Sequence, residues 1–150
     1  MKLATWNVNS LAVRLPQVLD WLAAHGPDVL VLQETKLTDD KFPHQAFVDA
    51  GWQAQWFGQK TYNGVALISR APATGVVRNI PGFDDEQARV IAGSVAGLRV
   101  IGAYFPNGQE PGSDKFAYKM RWQDALREWV RSELAAHPQL VLMGDFNVAP

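Results

Sequence analysis

The spacing of apolar positions predicts two long helices, one near each end of the chain. Apolar residues recur at intervals of three and four from Leu11 to Leu22, which is the period of an amphipathic helix, and Gly26-Pro27 would end it. A second helix is predicted to begin at residues 111–114, where a serine can cap the first turn, and to end at 137–138. Its apolar stripe comprises Trp122, Ala125, Leu126, Trp129, Val130 and Leu134.

Short apolar runs bounded by turn residues predict strands in the rest of the chain. Residues 29–32 and 140–143 are uninterrupted apolar runs, which are typical of strands covered on both faces. Further strands are predicted at 2–6, 52–57, 65–69, 76–80, 90–95 and 98–104. Helices that flank a strand-rich middle predict the α/β class, with a mixed β-sheet and flanking helices in layers.

Composition narrows the classes of protein that the chain can represent. Its 150 residues are 47% hydrophobic and 19% charged, which is typical of one globular domain. Lys and Arg number 14 against 15 for Asp and Glu, so histone-like DNA binding is excluded while a local basic face is not. Without cysteine there is no disulfide, thiol nucleophile or thiolate zinc site. No apolar run matches a signal peptide or membrane span, so we expect a cytoplasmic protein without membrane association.

Polar side chains follow three of the predicted strands directly. Asn7 follows the first strand, Glu34 follows the strand at 29–32, and Asp145 and Asn147 follow the strand at 140–143. Ligands of α/β sheets collect beyond the carboxyl ends of strands, so these side chains are expected at one edge. Two carboxylates among amide oxygens form a cluster that suits hard cations such as Mg²⁺ or Mn²⁺.

Each of these residues also has a purely structural interpretation. Glu34 alone is typical of a solvated loop, and Asn7 alone is typical of a turn. The segment from Gly144 to Asn147 is compatible with an Asx turn. The recurrence of the pattern on three strands favours the metal site over the separate structural explanations.

Five segments, in this order along the chain, resemble one family. They are Thr5-Trp6-Asn7-Val8-Asn9, Leu32-Gln33-Glu34-Thr35-Lys36, Asn63-Gly64-Val65-Ala66, Tyr104-Phe105-Pro106-Asn107-Gly108 and Gly144-Asp145-Phe146-Asn147. Over the whole chain, the sequence resembles the N-terminal part of the exonuclease III family of apurinic/apyrimidinic endonucleases, in the endonuclease/exonuclease/phosphatase superfamily. The resemblance implies a deoxyribonuclease I-like fold in which residues 1–150 form the N-terminal half of a four-layer αββα sandwich.

The resemblance also implies that the domain is incomplete at its C-terminus. Members of the family continue well beyond the position of Pro150, and the part that follows is expected to form the second sheet of the sandwich. That part supplies an Asp and a His that act at the scissile phosphate. The 150-residue chain alone is therefore expected to be inactive.

The resemblance implies a role for each residue of the proposed metal site. Glu34 is the main ligand of Mg²⁺, for which Mn²⁺ is a substitute, and Asn7 lies beside it at the metal. Asp145 orients or deprotonates the attacking water and belongs to the metal site as well. Asn147 holds a phosphate oxygen or contributes to the metal site. These roles suit phosphodiester hydrolysis, which builds negative charge on the phosphoryl oxygens.

Four more residues are expected to bind phosphate, three of them because of the resemblance. Tyr104 and Asn107 are expected to bond the scissile phosphate and to stabilise its transition state. Arg89 occupies a position where the family carries a basic residue, and with Lys115 it is expected to contact DNA phosphates. By residue type alone, Tyr104 is equally compatible with the core, Asn107 with a turn, and Lys115 with a solvated helix face.

The implied function is Mg²⁺-dependent DNA repair by a monomer acting on double-stranded DNA that contains abasic sites. The expected reaction hydrolyses the phosphodiester 5′ to the abasic site, with 3′-to-5′ exonuclease and 3′-end-cleaning activity. One alternative is a phosphatase of the same superfamily that acts on phosphoinositides or sphingomyelin, against which the segment Tyr104–Gly108 argues. Another is a non-catalytic nucleic-acid-binding fragment, against which the net charge of −1 argues.

Overall fold

The computed structural model describes residues 1–108 and 111–147. The strands are β1 (Leu3–Asn7), β2 (Val29–Gln33), β3 (Gln53–Phe57), β4 (Val65–Ser69), β5 (Thr74–Arg78), β6 (Val90–Val95), β7 (Leu98–Tyr104) and β8 (Leu140–Asp145). The helices are α1 (Leu11–His25), α2 (His44–Asp49) and α3 (Asp114–Ala136), with a 3₁₀ turn at Asp39–Lys41. None of the helices in these ranges is long and apolar enough to cross a membrane.

The strands form two mixed sheets of four strands each. One sheet has the order β1-β2-β4-β3 and the other has the order β5-β6-β7-β8. The pairs β1–β2 and β7–β8 are parallel, and the other neighbouring strands are antiparallel. Within the described residues β1 and β3 are thus the outermost strands of the first sheet, and β5 and β8 are those of the second. The predicted α/β class with a mixed sheet is confirmed.

The two sheets pack face to face, and helices cover their outer faces. Alternation along β2 directs Val31 towards the second sheet, where it meets residues such as Val100, and directs Leu30 towards α1 and α2. On the far side, Trp122 and Leu126 of α3 pack against the second sheet. Burial of each such large apolar side chain contributes about 1.5–3 kcal/mol. The result is the four-layer order helix, sheet, sheet, helix.

The expectation that the second sheet lies beyond Pro150 is wrong. Strands β5 to β8 already form that sheet, and its inner face is covered by the first sheet. A strand's apolar pattern predicts which of its faces is buried, but it does not predict which strand lies beside it. In the described residues the edge strands are β1 and β3 of one sheet and β5 and β8 of the other, and the inner faces of the two sheets share one buried core.

The ends of α1 and α3 match the sequence. Gly26 adopts the left-handed conformation with φ 50° and ends α1 by donating its N–H to the Leu22 carbonyl at 2.9 Å. Ser113 caps α3, since its hydroxyl oxygen accepts a hydrogen bond from the Phe116 N–H at 3.1 Å. Leu134 belongs to the predicted apolar stripe of α3, but its side chain is 50% exposed. The stripe extends beyond the core that α3 covers, which reaches only as far along the helix as Val130.

Two local features differ from the sequence-based prediction. β5 lies at Thr74–Arg78 rather than at 76–80, because the chain leaves the sheet at Asn79, whose φ is 66°. Ile80 is still buried, so its apolar character reflects packing after the strand has ended. The helix α2 was not predicted, since its six residues are too few to display a helical period.

Candidate metal and phosphate site

Three polar side chains from the ends of β1, β2 and β8 meet at one edge of the sandwich. Asn7 is the last residue of β1, Glu34 follows β2, and Asp145 is the last residue of β8. The side-chain nitrogen Nδ2 of Asn7 donates to Glu34 Oε2 at 2.5 Å and to Asp145 Oδ2 at 2.9 Å. Three of the four side chains that the sequence placed at strand ends are therefore joined through the Asn7 amide.

The orientation of the Asn7 side-chain amide is fixed by a hydrogen bond from a nearby backbone N–H. Its oxygen Oδ1 accepts a hydrogen bond from the Asn9 N–H at 3.0 Å, so its nitrogen must face the two carboxylates. In this arrangement Asn7 bridges Glu34 and Asp145 as a hydrogen-bond donor. The carboxylates are then the anionic ligands that the cluster offers, and Asn7 holds them together.

Glu34 lies in a strained backbone segment. Its φ is 54° and that of Lys36 is 57°, in the left-handed region that non-glycine residues avoid. Such a conformation costs about 1–2 kcal/mol per residue, so surrounding contacts must hold it. The Glu34 carbonyl accepts from the Ser10 N–H at 2.8 Å, and the Lys36 N–H donates to the Asn63 carbonyl at 2.9 Å. The backbone thus fixes the direction of the Glu34 side chain.

Gly64 lets the turn at Asn63-Gly64 pack against the backbone segment that carries Glu34. Its φ is +95°, and a Cβ at this position would lie 2.1 Å from the hydroxyl oxygen of Thr35. Its carbonyl accepts a hydrogen bond from the Thr35 N–H at 3.2 Å. Only glycine lets the turn approach the Glu34 segment this closely.

Asp145 is oriented through both of its carboxylate oxygens. Oδ2 receives the bond from Asn7, and Oδ1 accepts from the Asn147 N–H at 3.0 Å. The preceding Gly144 allows this turn because a Cβ there would lie 1.9 Å from the carbonyl oxygen of Ala103. The Asn147 side chain donates to the Phe105 carbonyl at 2.9 Å and hydrogen-bonds Tyr104. The segment Gly144–Asn147 therefore ties β8 to the end of β7.

The ammonium group of Lys36 lies beside the Glu34 carboxylate. Lys36 Nζ donates to Asn9 Oδ1 at 2.7 Å and lies 3.7 Å from Glu34 Oε1. Lys36 was part of the segment that carried the family resemblance, but no role was predicted for it. Lys36 and Asn9 are 27 positions apart in sequence, so their contact could not be predicted from the spacing of residues within a helix or strand.

The donor set at this edge fits a hard divalent cation. Mg²⁺ is commonly held by one or two carboxylates and keeps several water ligands. Glu34 and Asp145 provide two carboxylates. Residues 1–108 and 111–147 contain no larger group, of three or more His, Cys, Asp or Glu, that could hold a metal ion. The adjoining cavity of about 780 Å³ has room for water and a phosphate. It is lined by Thr5, Asn7, Gln33, Asn107, Gly144, Asp145, Phe146 and Asn147.

Tyr104 provides a hydroxyl beside this cluster. Burial raises the pKa of the Tyr104 phenol above 10.0, and the negative charge of Glu34 adds to the increase. Arg89 and the hydrogen bond with Asn147 act in the opposite direction on this pKa without reversing the shift. The hydroxyl is therefore protonated at neutral pH and can donate a hydrogen bond to an anion.

The two cations predicted to contact phosphates face a second cavity. This cavity of about 340 Å³ is lined by residues that include Arg89 and Lys115. Asn107 lines both cavities, so they adjoin. The Arg89 guanidinium lies 5.0 Å from the ring centre of Tyr104, and its Nη1 donates to the Tyr104 carbonyl at 3.1 Å. The structure thus brings seven of the eight predicted site residues to two neighbouring cavities, and the eighth, Glu34, to the carboxylate cluster at the first of them.

Comparison with known proteins gives a consistent set of relatives. The Endonuclease/Exonuclease/phosphatase family matches residues 4–150 of the chain. Exodeoxyribonuclease III of Haemophilus influenzae is 31% identical over 156 aligned positions, which cover 100% of this chain and 58% of that protein.

Solved structures share the fold over the whole chain. Two structures of NExo from Neisseria, one described as a 3′ phosphatase bound to product DNA hairpin and one as a 3′-5′ exonuclease, are 55% and 56% identical. Both have a TM-score of 0.97 and are covered to 59% by this chain. An AP endonuclease from Archaeoglobus fulgidus is 36% identical with a TM-score of 0.94, and the chain covers 58% of it. The chain matches these structures over 100% of its own length and spans less than two thirds of theirs.

Proposed function

The chain belongs to the endonuclease/exonuclease/phosphatase family, and from this premise we propose that the full-length protein is a Mg²⁺-dependent DNA-repair nuclease. The observation that carries the proposal is the hydrogen-bonded contact of Asn7 with Glu34 and Asp145 at the mouth of a cavity. A dication held there, with hydrogen-bond donors around it, is suited to a phosphate ester whose negative charge grows during hydrolysis.

The substrate is DNA with an abasic site or a 3′ terminus in need of processing. The proposed reactions are hydrolysis of the phosphodiester 5′ to an abasic site, removal of 3′ nucleotides, and removal of a 3′-phosphate. Relatives described as a 3′ phosphatase and a 3′-5′ exonuclease are 55% and 56% identical, and one described as an AP endonuclease is 36% identical. These names support 3′-end processing as an activity of equal standing with incision at abasic sites. Each of these reactions breaks a phosphorus–oxygen bond next to a DNA sugar.

Glu34 and Asp145 are the residues that would hold the divalent ion. An ion bound there would supply positive charge that polarises the phosphoryl oxygens and favours ionisation of water. Asn7 keeps the two carboxylates at a fixed separation through the bonds that its amide donates. Asp145 in addition orients the attacking water and accepts its proton, since both of its oxygens have fixed directions at the cavity wall.

Tyr104, Asn107 and Asn147 bind the phosphate oxygens. The Tyr104 hydroxyl is protonated at neutral pH because its pKa is raised by burial, so it donates to the growing charge. Arg89 and Lys115, at the adjoining cavity, hold neighbouring phosphates of the DNA strand. Their contribution is expected to decrease as salt concentration rises, since ions compete for the phosphates.

The test is a comparison of three substrates with the full-length protein and Mg²⁺. They are a duplex with an abasic analogue, a duplex with a recessed 3′-phosphate, and a soluble inositol phosphate. We expect hydrolysis of the DNA substrates, loss of activity in EDTA, and no release of phosphate from the inositol compound. Hydrolysis of the inositol compound alone would support the lipid-phosphatase alternative. Salt-dependent DNA binding without cleavage would support the non-catalytic alternative.

Replacing Glu34 with glutamine is expected to weaken Mg²⁺ binding by at least about tenfold, because one of the two anionic ligands becomes neutral. DNA binding without metal is expected to change little, since Glu34 carries no positive charge for phosphates. Mg²⁺ affinity is measured by calorimetric titration without DNA, and DNA affinity by fluorescence anisotropy in EDTA. Glu128→Gln, at an exposed glutamate of α3, is the matched control. An unchanged Mg²⁺ affinity in Glu34→Gln excludes Glu34 as a ligand.

A further inference from the structure

A tyrosine of α3 contacts the loop that precedes β6. The Tyr118 hydroxyl donates to Asp85 Oδ2 at 2.6 Å, and both residues are half-buried. Burial and this hydrogen bond raise the pKa of Tyr118 far above its usual value, so the phenol keeps its proton. The contact joins residues 33 positions apart and is the start of a continuous chain of hydrogen bonds.

Asp85 organises the loop that leads to Arg89. Its second oxygen, Oδ1, accepts from the Gln87 N–H at 3.0 Å, and its backbone carbonyl accepts from the Asn79 side-chain amide at 2.8 Å. The Gln87 side-chain oxygen in turn accepts from Arg89 Nε at 2.8 Å. The loop conformation and the direction of the Arg89 side chain are therefore linked to Asp85.

Arg89 is also held by aromatic rings. Its guanidinium carbon lies 5.0 Å from the ring centre of Tyr104 and 5.9 Å from that of Tyr118, both within the range of cation–π attraction. Nη1 donates to the Tyr104 carbonyl, and the Arg89 side chain also hydrogen-bonds the Tyr118 side chain. A side chain with as much rotational freedom as arginine is thus fixed before any ligand arrives.

We propose that Tyr118 and Asp85 are positioning residues that hold Arg89 in place for a backbone phosphate of the DNA. The proposal rests on the proposed function, because it takes DNA as the substrate. An arginine that is already ordered loses little conformational entropy on binding, so its contact with the phosphate is stronger. Neither Tyr118 nor Asp85 needs to touch the reacting atoms for this effect. Both act on substrate affinity through Arg89.

The test is a double-mutant cycle with Tyr118→Phe and Arg89→Ala in the full-length protein. Tyr118→Phe is expected to weaken binding of a 3′-phosphate duplex in EDTA by about three- to tenfold, the scale of one lost hydrogen bond. In cleavage assays KM is expected to rise by a similar factor with kcat nearly unchanged. In the Arg89→Ala background, the same substitution is expected to cost less than about twofold, because the group it positions is absent.

Two further variants separate positioning from a general effect on stability. Ser132→Ala removes an exposed hydroxyl from the same helix and is expected to leave DNA binding unchanged. Asp85→Asn keeps one acceptor oxygen, so it is expected to lose less affinity than Asp85→Ala. Equal losses for Tyr118→Phe in the presence and absence of Arg89 would overturn the proposal while leaving the proposed function intact.

A measurement without DNA covers the case in which the proposed function fails. If the unaltered protein does not bind the duplex, the assignment of DNA as substrate is wrong. The positioning is then measured by the rate at which the Arg89 Nε proton exchanges with water in nitrogen-15 NMR. We expect at least about threefold faster exchange in Tyr118→Phe, because weaker positioning opens the bond to Gln87 more often. An unchanged rate would overturn the positioning role.

Discussion

Replacing Asp145 with asparagine is expected to slow DNA cleavage at least about a hundredfold in single-turnover experiments. Asparagine has nearly the same shape, but it carries no negative charge and cannot accept a proton from the attacking water. It also places an amide group where Asp145 accepts bonds from Asn7 and from the Asn147 N–H, so one of these bonds is lost. The chemical step is therefore expected to be affected much more than folding or DNA binding.

Single-turnover rates, DNA affinity in EDTA and the melting temperature together test this expectation. Asp124→Asn changes an exposed aspartate of α3 in the same way and serves as the matched control. The measurements are repeated at saturating Mg²⁺, so that weaker metal binding is not mistaken for a slower chemical step. A decrease of only severalfold at saturating metal would make Asp145 a structural residue of the turn.

The 150-residue chain alone is expected to cleave neither abasic DNA nor 3′-terminal nucleotides, whereas the full-length protein is expected to cleave both. Asn7 and Asp145 come from β1 and β8, each of which is one of the two edge strands of its sheet in the part of the chain that the structure describes. The site therefore lies where these two edge strands come together. No histidine lines the cavity beside Asp145 in the described residues. Loss of one charge-stabilising group typically costs about 3 kcal/mol of transition-state stabilisation, and loss of several costs more.

The surfaces beside β1 and β8 also affect how the short chain is expected to behave in solution. A cavity of about 240 Å³ beside β1 is lined by Ala4, Thr5, Trp6, Trp21 and Leu30. A cavity of about 460 Å³ beside β8 is lined by Phe105, Gln123, Leu126, Arg127, Val130, Arg131 and Leu142. The expected behaviour is binding of a hydrophobic dye or self-association at these edges, with the core between the sheets retained.

The experiment compares purified residues 1–150 with the full-length protein under identical conditions. Both are incubated with Mg²⁺ and a duplex that carries one abasic analogue, and circular dichroism records whether the short chain is folded. Efficient incision by a folded short chain would show that the described residues are sufficient for catalysis. It would also contradict the role given to an Asp and a His outside this chain.

Local features of the fold could be predicted because they depend on neighbouring residues. The period of apolar positions placed α1 and α3, and Ser113 marked the start of α3, because helix geometry relates residues a few positions apart. The ends of β1, β2 and β8 were nearly as visible, since their apolar runs stop where polar residues begin, whereas the end of β5 was not. These features brought Asn7, Glu34 and Asp145 into the predicted site.

Contacts between distant segments were decided only by the tertiary structure. The apolar pattern of a strand states which faces are buried, but not which strand covers them, so the second sheet was assigned to the wrong part of the protein. The Asn7 amide joins Asp145 across 138 positions, and its role as a bridge depends on which atom faces the carboxylate. The contact between Tyr118 and Asp85, which are 33 positions apart, likewise depends on the packing of α3 against the loop before β6. The sequence determined which groups stand at the ends of its elements, and the packing of those elements decided which groups meet, because hydrogen bonds need partners within about 3 Å.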